Sequence, residues 1–458
     1  MWKSILETKY VTRYVVSKYP KVDVFNANNE IIDSIIRGEE IEVLYSERMP
    51  NDDTKVKVKY NDKEAYISIS NIAESRDKVR QEETVYVTHF THLRDKEYGN
   101  LKEPVYYGEE LKVIGGDIQS DGEIKWYQVE YNEEPRYILN KYVSVDKPGP
   151  KKTVFPAPFE YLEYLERDLK DYPRNPRRDD IKAFYVSGPM ASTNIDKYIN
   201  LVKKTEANAL VVDIKHDSGK LLFEVPGAEK YAKDANKNAL VKDINTFMKK
   251  LKDNDIYLTG RIVTFKGDQY FYESNPESAV IRKDTGKPHT DKWGSVYLSP
   301  HNRKLWEYNL LIAKEAARLG FNEIQFDYVR FSEGSKDAVH DNKNIYEETK
   351  VETIGRFLDY AYDELSNLGV YVAADMFPTV LFSDYDANTI GQYYPLVASI
   401  VDYSSLMVYP SHYAPTDTYN PDFDPCGTVN RTMKKAFELD KLIEHPAEQR
   451  PWIQAFSL

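Results

Sequence analysis

From residue 181 onward, short apolar segments alternate with segments of helical spacing, and no other feature constrains the fold as strongly. Continuous apolar strands joined by helical crossovers are typical of a parallel sheet that helices cover. The alternation predicts a TIM-type (β/α)8 barrel over residues 181–458, apparently lacking its eighth strand in this chain. The predicted strands are residues 183–187, 209–215, 256–265, 323–331, 370–377, 403–410 and 452–456, with helical patterns at 195–204, 241–253, 304–319 and 351–367.

Polar side chains stand at the ends of these apolar strands. Asp213, Asp327 and Asp375 occupy matching positions in the second, fourth and fifth predicted strands. Burying an ionisable group in an apolar strand is costly unless it is paired or functional, and barrel enzymes place their chemistry where strands end. The three aspartates therefore predict one shared site. The residues expected to bind substrate around it are Asp213, Lys215, Arg261, Gln325, Arg330, Tyr409, His412 and Gln454.

Asp327 and Asp375 lie on adjacent predicted strands, so they are the pair expected to flank a glycosidic bond. Glycoside hydrolysis uses one carboxylate as nucleophile or base and a second, protonated one as acid. Cationic side chains at the neighbouring strand ends favour an ionised Asp327 and hence the nucleophile role. The apolar sequence neighbours of Asp375 favour a raised pKa and the role of acid.

The same residues also have structural interpretations. Asp327 would form an ion pair with Arg330 if the strand ended before Arg330, since a strict strand points the two to opposite faces. Asp213 and Lys215 fit a structural bridge as well as a substrate contact. The residues left open between sugar contact and loop or barrel packing are His412, Trp293, Trp306 and Trp452.

The first 145 residues contain an internal repeat of short alternating β segments. Residues 10–12, 38–40 and 66–67 return as residues 86–88, 108–110 and 137–138. Alternation with period two and frequent turns predicts two small all-β barrels. We place these modules at 8–75 and 82–145, and residues 146–180 as a linker followed by a helix at 159–169.

Two resemblances to known families follow from these motifs. The Gly-Glu-Glu turn and late Tyr-Ile strand of each module resemble bacterial SH3-type domains, which commonly bind cell-wall peptides or act as spacers. Residues 320–331, Gly-Phe-Asn-Glu-Ile-Gln-Phe-Asp-Tyr-Val-Arg-Phe, resemble a family of bacterial glycoside hydrolases related to the α-amylase superfamily. The second resemblance implies a TIM barrel with Asp327 as its strand-four catalytic aspartate. Asp375 stands where those enzymes usually carry Glu, and Gln325 where they carry Arg.

The net charge and the motifs of the sequence limit the kinds of partner that the chain is expected to bind. The formal net charge of −12 is unfavourable for holding nucleic acid through phosphate contacts. No apolar run approaches the length of a membrane span. The sequence has no His-Glu-x-x-His pattern, EF-hand loop or Gly-rich phosphate loop, so neither metal nor cofactor is expected. Glu7 and Lys9 interrupt any apolar core that a signal peptide would need.

These patterns predict a glycoside hydrolase that cuts a bacterial cell-wall or extracellular polysaccharide by a two-carboxylate mechanism. Its N-terminal modules would hold it outside the cell or on wall peptidoglycan, with the export signal absent from this chain. One alternative is a non-catalytic carbohydrate-binding or cell-wall scaffold protein with a degenerate barrel. A further alternative is a polysaccharide deacetylase or esterase; a deacetylase would use a metal held by Asp and His side chains.

Overall fold

The computed structural model describes residues 9–61, 63–80, 82–333, 338–339, 344–415 and 419–456. The chain divides into two compact units, residues 1–152 and residues 153–458. The first unit contains two antiparallel β-sheets, and the second contains a parallel sheet with intervening helices. This is the predicted order of all-β modules followed by an α/β barrel.

The two antiparallel sheets share one strand order, which confirms the internal repeat. The order is β3-β2-β6-β5-β4-β1-β7 in the first sheet and, with every strand number raised by seven, β10-β9-β13-β12-β11-β8-β14 in the second. The strands are Val11–Val15 (β1), Lys21–Phe25 (β2), Ile31–Ile36 (β3), Glu40–Met49 (β4), Asp52–Tyr60 (β5), Lys63–Ser68 (β6), Ile72–Ala73 (β7), Thr84–Val87 (β8), Thr91–Arg94 (β9), Leu101–Val105 (β10), Glu110–Gly115 (β11), Trp126–Tyr131 (β12), Glu134–Leu139 (β13) and Val143–Ser144 (β14).

The repeated Gly-Glu-Glu turn depends on a left-handed glycine. Gly38 and Gly108 have φ values of 87° and 86°, a region that glycine enters without steric cost. The N–H of Gly38 donates to the carbonyl of Val15 at 2.8 Å, and that of Gly108 donates to the carbonyl of Val87 at 2.7 Å. The same turn thus leads into β4 and β11.

A buried ion pair joins the two β modules. Arg37 NH1 lies 2.8 Å from Glu82 Oε1, and both side chains are almost wholly excluded from solvent. Arg37 also donates to the carbonyl of Ser17 in its own module and to that of Gly122 in the other. Because losing one partner of a buried pair leaves an uncompensated charge, this contact favours a single arrangement of the two modules.

The parallel sheet of the second unit has the order β15-β16-β17-β19-β21-β22-β23, and β24 also pairs with β22. The sheet has eight strands. Each of the seven predicted strands overlaps one of them, and β23, which lies just before the seventh predicted strand, is the additional strand. They are Ala183–Val186 (β15), Ala209–Lys215 (β16), Tyr257–Val263 (β17), Glu323–Asp327 (β19), Tyr371–Met376 (β21), Tyr403–Val408 (β22), Glu448–Gln449 (β23) and Trp452–Ile453 (β24). Ile281–Arg282 (β18) and Ala338–Val339 (β20) pair with each other in a separate antiparallel sheet.

Eight α-helices of this unit are described, and none of the described helices is long and apolar enough to cross a membrane. The helix predicted at 304–319 ends where expected, because its C-cap residue Gly320 takes a left-handed φ of 97°, as helix C-termini favour. The helix predicted at 351–367 ends at Ser366, with Asn367 as its C-cap. The helices are Gly188–Lys204 (α1), Ile244–Lys252 (α2), Gln269–Ser274 (α3), Arg303–Leu319 (α4), Lys350–Ser366 (α5), Asp384–Ile390 (α6), Tyr394–Ala398 (α7) and Pro425–Asp440 (α8).

The helix predicted at residues 159–169 is wrong. The segment forms turns and extended chain, and its apolar spacing comes from packing instead. Phe159 is buried and stacks on Tyr393 with ring centroids 3.8 Å apart, and Leu162 is also buried. Pro156 and Pro158 precede the segment, and proline removes backbone donors that a helix would need.

Asp402, which precedes β22, has a raised pKa. Its Oδ1 accepts from Arg177 NH2 at 2.8 Å and its Oδ2 from the N–H of Val372 at 2.9 Å. Burial nevertheless outweighs these contacts and raises the pKa of the Asp402 carboxyl to about 6. The pKa of an aspartate in an unfolded chain is about 3.9, so folding favours the protonated form.

The raised pKa of Asp402 makes the free energy of unfolding depend on pH. A raised carboxyl pKa contributes stability that is present below about pH 4 and is lost as pH rises through about 6. The unfolding free energy of the wild type should therefore fall relative to that of Asp402→Asn between these values, by about 2 kcal/mol. Urea unfolding of both proteins at pH 4 and pH 7 measures the difference. A constant difference would contradict the expectation.

Candidate functional site

Arg261 on β17 lies at the centre of a cluster of three aspartates. Its NH1 donates to Asp213 Oδ1 at 2.5 Å, and its Nε donates to Asp327 Oδ2 at 3.0 Å. Its NH2 also donates to Asp327 Oδ2. Asp375 Oδ2 lies 3.8 Å from Arg261 Nε. The aspartates come from β16, β19 and β21, so neighbouring parallel strands converge on one guanidinium, as predicted for Asp213, Asp327 and Asp375.

The cluster is buried and carries more acids than cations. Asp213, Asp327 and Asp375 are 1%, 5% and 1% exposed. Burial raises the pKa of the Asp375 carboxyl well above its usual value, and the negative charge of Asp327 raises it further. A like charge close by disfavours ionisation of the second acid. Asp375 is therefore the member of the cluster that keeps a proton.

The two oxygens of Asp375 have different surroundings. Oδ1 accepts a hydrogen bond from Trp452 Nε1 at 2.8 Å. Oδ2 is buried and has no hydrogen-bond partner among the described residues. Because Oδ1 already accepts a hydrogen bond, Oδ2, which faces Arg261, is the oxygen available to carry a proton.

Asp327 is held as an acceptor on both oxygens. Oδ2 accepts from Arg261, and Oδ1 accepts from the N–H of Tyr328 at 2.6 Å. Tyr328 has a φ of 48°, outside the extended region, and β19 ends at Asp327 four residues earlier than predicted. This turn lets the neighbouring peptide N–H reach back to the carboxylate.

Tyr185 belongs to the site but was not predicted from the sequence, although it lies near the end of the first predicted strand. Its hydroxyl donates to Asp213 Oδ2 at 2.6 Å, and Arg261 lies 5.5 Å from its ring centroid. Its ring also meets that of Trp452 edge-on at 6.0 Å. The first and seventh strand positions thus contribute neighbouring aromatic side chains.

The structure places the contacts of Lys215, Arg330 and Gln325 with residues other than Arg261. Lys215 is wholly buried in an ion pair with Asp268 at 2.7 Å, so the expected bridge to Asp213 is absent and no surface is left for a substrate. A register shift between β16 and β17 lies between Asp213 and Lys215, which breaks the alternation behind the prediction.

Arg330 and Gln325 are engaged elsewhere. Arg330 NH2 lies 2.7 Å from Glu333 Oε1, so the ion pair with Asp327 considered from the sequence is not formed. Gln325 is buried, and its Nε2 donates to Ser405 Oγ at 3.0 Å.

Tyr409, His412 and Gln454 follow the last strands. Burial, followed by the charges of Asp375 and Asp327, raises the pKa of the Tyr409 hydroxyl above its usual value. The His412 ring lies 4.9 Å from that of Tyr409, and burial lowers its pKa. Gln454 Oε1 accepts from Ser411 Oγ at 3.1 Å. Tyr409 thus lies close enough for the charges of both carboxylates to affect its pKa, and the His412 ring packs against the Tyr409 ring.

The three tryptophans left open by the sequence differ in exposure. Trp306 is 1% exposed and donates to the carbonyl of Pro300, so it packs the barrel. Trp452 is partly buried and bonded to Asp375. Trp293 is 76% exposed, so it is not a packing residue.

Metal-ligand geometry occurs away from the aspartate cluster. Among the described residues, the one group of His and carboxylate side chains that could share an ion is Glu166, Glu444 and His445, with ligand atoms within 4.8 Å of one another. These residues lie before β15 and after α8, whereas barrel chemistry is found where strands end. His216, three residues after Asp213, lies 2.6 Å from Asp217 and joins no such group.

Comparison with protein families decides the class of the second unit. Residues 183–458 match the model of a family described as "Putative glycosyl hydrolase domain". The chain belongs to this glycosyl hydrolase family. The match covers β15 to β24 and hence all the strands that supply the aspartate cluster. No protein of curated function matches the chain.

Several solved structures resemble this chain. A hypothetical protein from Ruminiclostridium thermocellum ATCC 27405 is 34% identical, covering 42% of this chain and 96% of its own, with a TM-score of 0.37. The PgaB (BpsB) glycoside hydrolase domain from Bordetella bronchiseptica is 14% identical, covering 57% and 80%, with a TM-score of 0.40. An alpha-amylase from Lactobacillus plantarum is 13% identical, covering 57% and 60%, with a TM-score of 0.38.

Proposed function

We propose that this member of the glycosyl hydrolase family cleaves a bacterial cell-wall or extracellular polysaccharide with Asp327 as nucleophile and Asp375 as acid and base. One observation carries the proposal. Two carboxyl groups on the neighbouring strands β19 and β21 share one guanidinium. Asp327 accepts hydrogen bonds from Arg261, whereas burial raises the pKa of Asp375 well above its usual value and favours its protonated form. A carboxyl group that keeps its proton beside a second carboxyl group is what a general acid requires.

The chemistry follows from these protonation states. The proton on Asp375 Oδ2 passes to the glycosidic oxygen as the bond to the anomeric carbon breaks. Asp327 attacks that carbon and forms a glycosyl ester, releasing the shortened chain as an alcohol. Asp375, now ionised, takes a proton from water, whose oxygen displaces Asp327. Both carboxyl groups end in their starting state.

The separation of the two acids favours retention of anomeric configuration. Asp327 Oδ2 and Asp375 Oδ2 lie 3.0 Å and 3.8 Å from Arg261 Nε, so their separation cannot exceed the sum of these distances, about 6.8 Å. Retaining glycosidases have carboxyl groups about 5–5.5 Å apart, and inverting ones about 6.5–9.5 Å. For these two oxygen atoms the limit excludes nearly the whole inverting range and includes the retaining one.

Other residues at the strand ends support the pair. Arg261 orients Asp327 and offsets its charge, while Asp213 and Tyr185 hold the other side of the guanidinium. Tyr409, His412 and Gln454, together with Arg330, line the substrate subsites. Lys215 and Gln325 have structural contacts and take no part in substrate binding.

The two β modules are bacterial SH3-type domains in this proposal and keep the enzyme outside the cell or on the wall. Their shared strand order and the buried Arg37–Glu82 pair support a tandem that acts as one binding or spacing element. Wall peptidoglycan is the partner that fits this role.

The burial of the acids supports a second candidate function. Asp375 is only 1% exposed, and a general acid must come within hydrogen-bond reach of the glycosidic oxygen. A degenerate barrel that binds polysaccharide without cutting it would keep Arg261 and its aspartates as a structural cluster. The two candidates differ in what happens when Asp375 is replaced.

Asp375→Asn is expected to lose activity and gain stability at neutral pH. Removing a general acid lowers turnover by about 10²–10⁴-fold. The raised pKa of Asp375 contributes stability only at low pH and this is lost as pH rises, whereas asparagine keeps the Trp452 contact without titrating. Reducing-end release from bacterial envelope polysaccharides and exopolysaccharides measures activity, and denaturant unfolding at pH 4 and 7 measures stability.

Asp196→Asn is the matched control, because Asp196 lies on α1 in an exposed pair with Lys250. This control should behave like the wild type in both assays. Hydrolysis by the wild type that persists unchanged in Asp375→Asn would eliminate Asp375 as the acid.

A further inference from the structure

Trp293 is presented to solvent by a well-anchored turn. Its side chain is 76% exposed, and Asp291 Oδ1 accepts from the N–H groups of Trp293 at 2.9 Å and Ser295 at 3.0 Å. Asp291 Oδ2 lies 3.1 Å from Lys266 Nζ, with side chains 11% and 8% exposed. A partly buried ion pair and two backbone hydrogen bonds thus fix the base of the indole.

The anchor also connects Trp293 to the carboxylate cluster. Lys266 follows β17, the strand of Arg261, and its Nζ lies 6.0 Å from the Trp293 ring centroid. The same Nζ lies 4.6 Å from the ring centroid of Tyr328, the residue whose N–H donates to Asp327. One lysine therefore bridges the residue next to the proposed nucleophile and the exposed indole.

We propose that Trp293 is a stacking platform for a pyranose ring of the polysaccharide, at a subsite removed from the bond that is cut. The inference rests on the proposed carbohydrate function of the aspartate cluster and adds that its ligand is a polymer. A pyranose ring offers an apolar C–H face to an indole, a flat apolar surface with a polar N–H.

The neighbouring lysine completes the subsite. Lys292 Nζ lies 4.3 Å from the Trp293 ring centroid and carries three donors suited to sugar hydroxyl groups. Because the proposed subsite lies away from the bond that is cut, Trp293 should matter more for polymers than for short oligosaccharides.

Binding to the inactive Asp327→Asn protein, with and without Trp293→Ala, tests the platform independently of catalysis. The probes are peptidoglycan, measured by sedimentation, and the bacterial exopolysaccharides xanthan, gellan and dextran, measured by affinity electrophoresis. The probe that Asp327→Asn binds should bind about tenfold more weakly after Trp293→Ala. In the active protein, Trp293→Ala should raise KM for the same polymer and leave kcat unchanged.

Phe437→Ala is the control, because Phe437 is a similarly exposed aromatic residue (55%) on helix α8. It should leave binding of every probe unchanged. Equal retention with and without Trp293, including no retention of any probe, would overturn the platform. Weaker binding after Trp293→Ala in a protein that never cuts the probe would keep the platform and reject the hydrolase. Cutting of a polymer that is unaffected by Trp293→Ala would keep the hydrolase and reject the platform.

Discussion

Asp327→Asn is expected to lower kcat/KM for the polysaccharide by at least about 10⁴-fold while leaving its binding in place. An amide cannot form the glycosyl ester, and loss of a covalent nucleophile is among the most severe changes at an active site. The amide oxygen is still able to accept from Arg261 or Tyr328. Reducing-end release and affinity electrophoresis on the same preparation measure the two effects separately.

The same variant distinguishes chemistry from folding. Asp327→Asn should show the near-ultraviolet circular dichroism of the wild type, since Arg261 keeps Asp213 as a partner at 2.5 Å. Activity within tenfold of wild type in a folded Asp327→Asn protein would assign the nucleophile to another group.

Arg261→Met is expected to destabilise the second unit by about 3–5 kcal/mol, the usual cost of leaving one side of a buried ion pair without its partner. Arg261 is the cation that Asp213 and Asp327 both contact. Removing it leaves buried carboxylates that must either ionise without a partner or take up protons. Urea unfolding of the wild type and the variant at pH 7 measures the loss.

Two further variants test whether the loss of stability comes from the charge of Arg261. Arg261→Lys keeps the charge but not the planar fork that contacts both acids, so its loss should be intermediate. Arg261→Met in an Asp213→Asn background should cost less than in the wild type, because one buried acid has been neutralised. An equal cost in both backgrounds would show that the guanidinium acts by packing alone.

The strand ends show what the sequence could predict. Asp213, Asp327 and Asp375 each interrupt an apolar run near the point where a barrel strand ends, and parallel pairing brings such points together. The sequence therefore predicted which acids meet. It also placed Arg261 at the same expected site, because that residue lies on the intervening predicted strand.

The contacts of Trp452 and Lys215 depend on tertiary detail that no local pattern contains. Trp452 reaches Asp375 because β24 pairs beside β22, which itself pairs with β21. Lys215 follows Asp213 by two residues, and period-two alternation places them on one face. A register shift at this point of β16 interrupts the alternation, and Lys215 forms its ion pair with Asp268 instead.

At residues 159–169 a local pattern predicted a helix that does not form. Its apolar residues have helical spacing, yet the spacing reflects contacts of Phe159 and Leu162 with the rest of the unit rather than a helix face. The prolines at 156 and 158 were the local signal against a helix. Spacing alone does not separate a helix from an irregular segment whose apolar side chains pack on a core.

We expect this barrel to cut the polysaccharide that it binds. Binding and reducing-end release by the wild type, measured together across bacterial envelope polysaccharides and exopolysaccharides, test this expectation. The polymer bound most tightly should also be cut, with new reducing ends that Asp327→Asn and Asp375→Asn fail to produce. Tight binding of a polymer by the wild type, with no new reducing ends, would contradict it and leave the non-catalytic barrel.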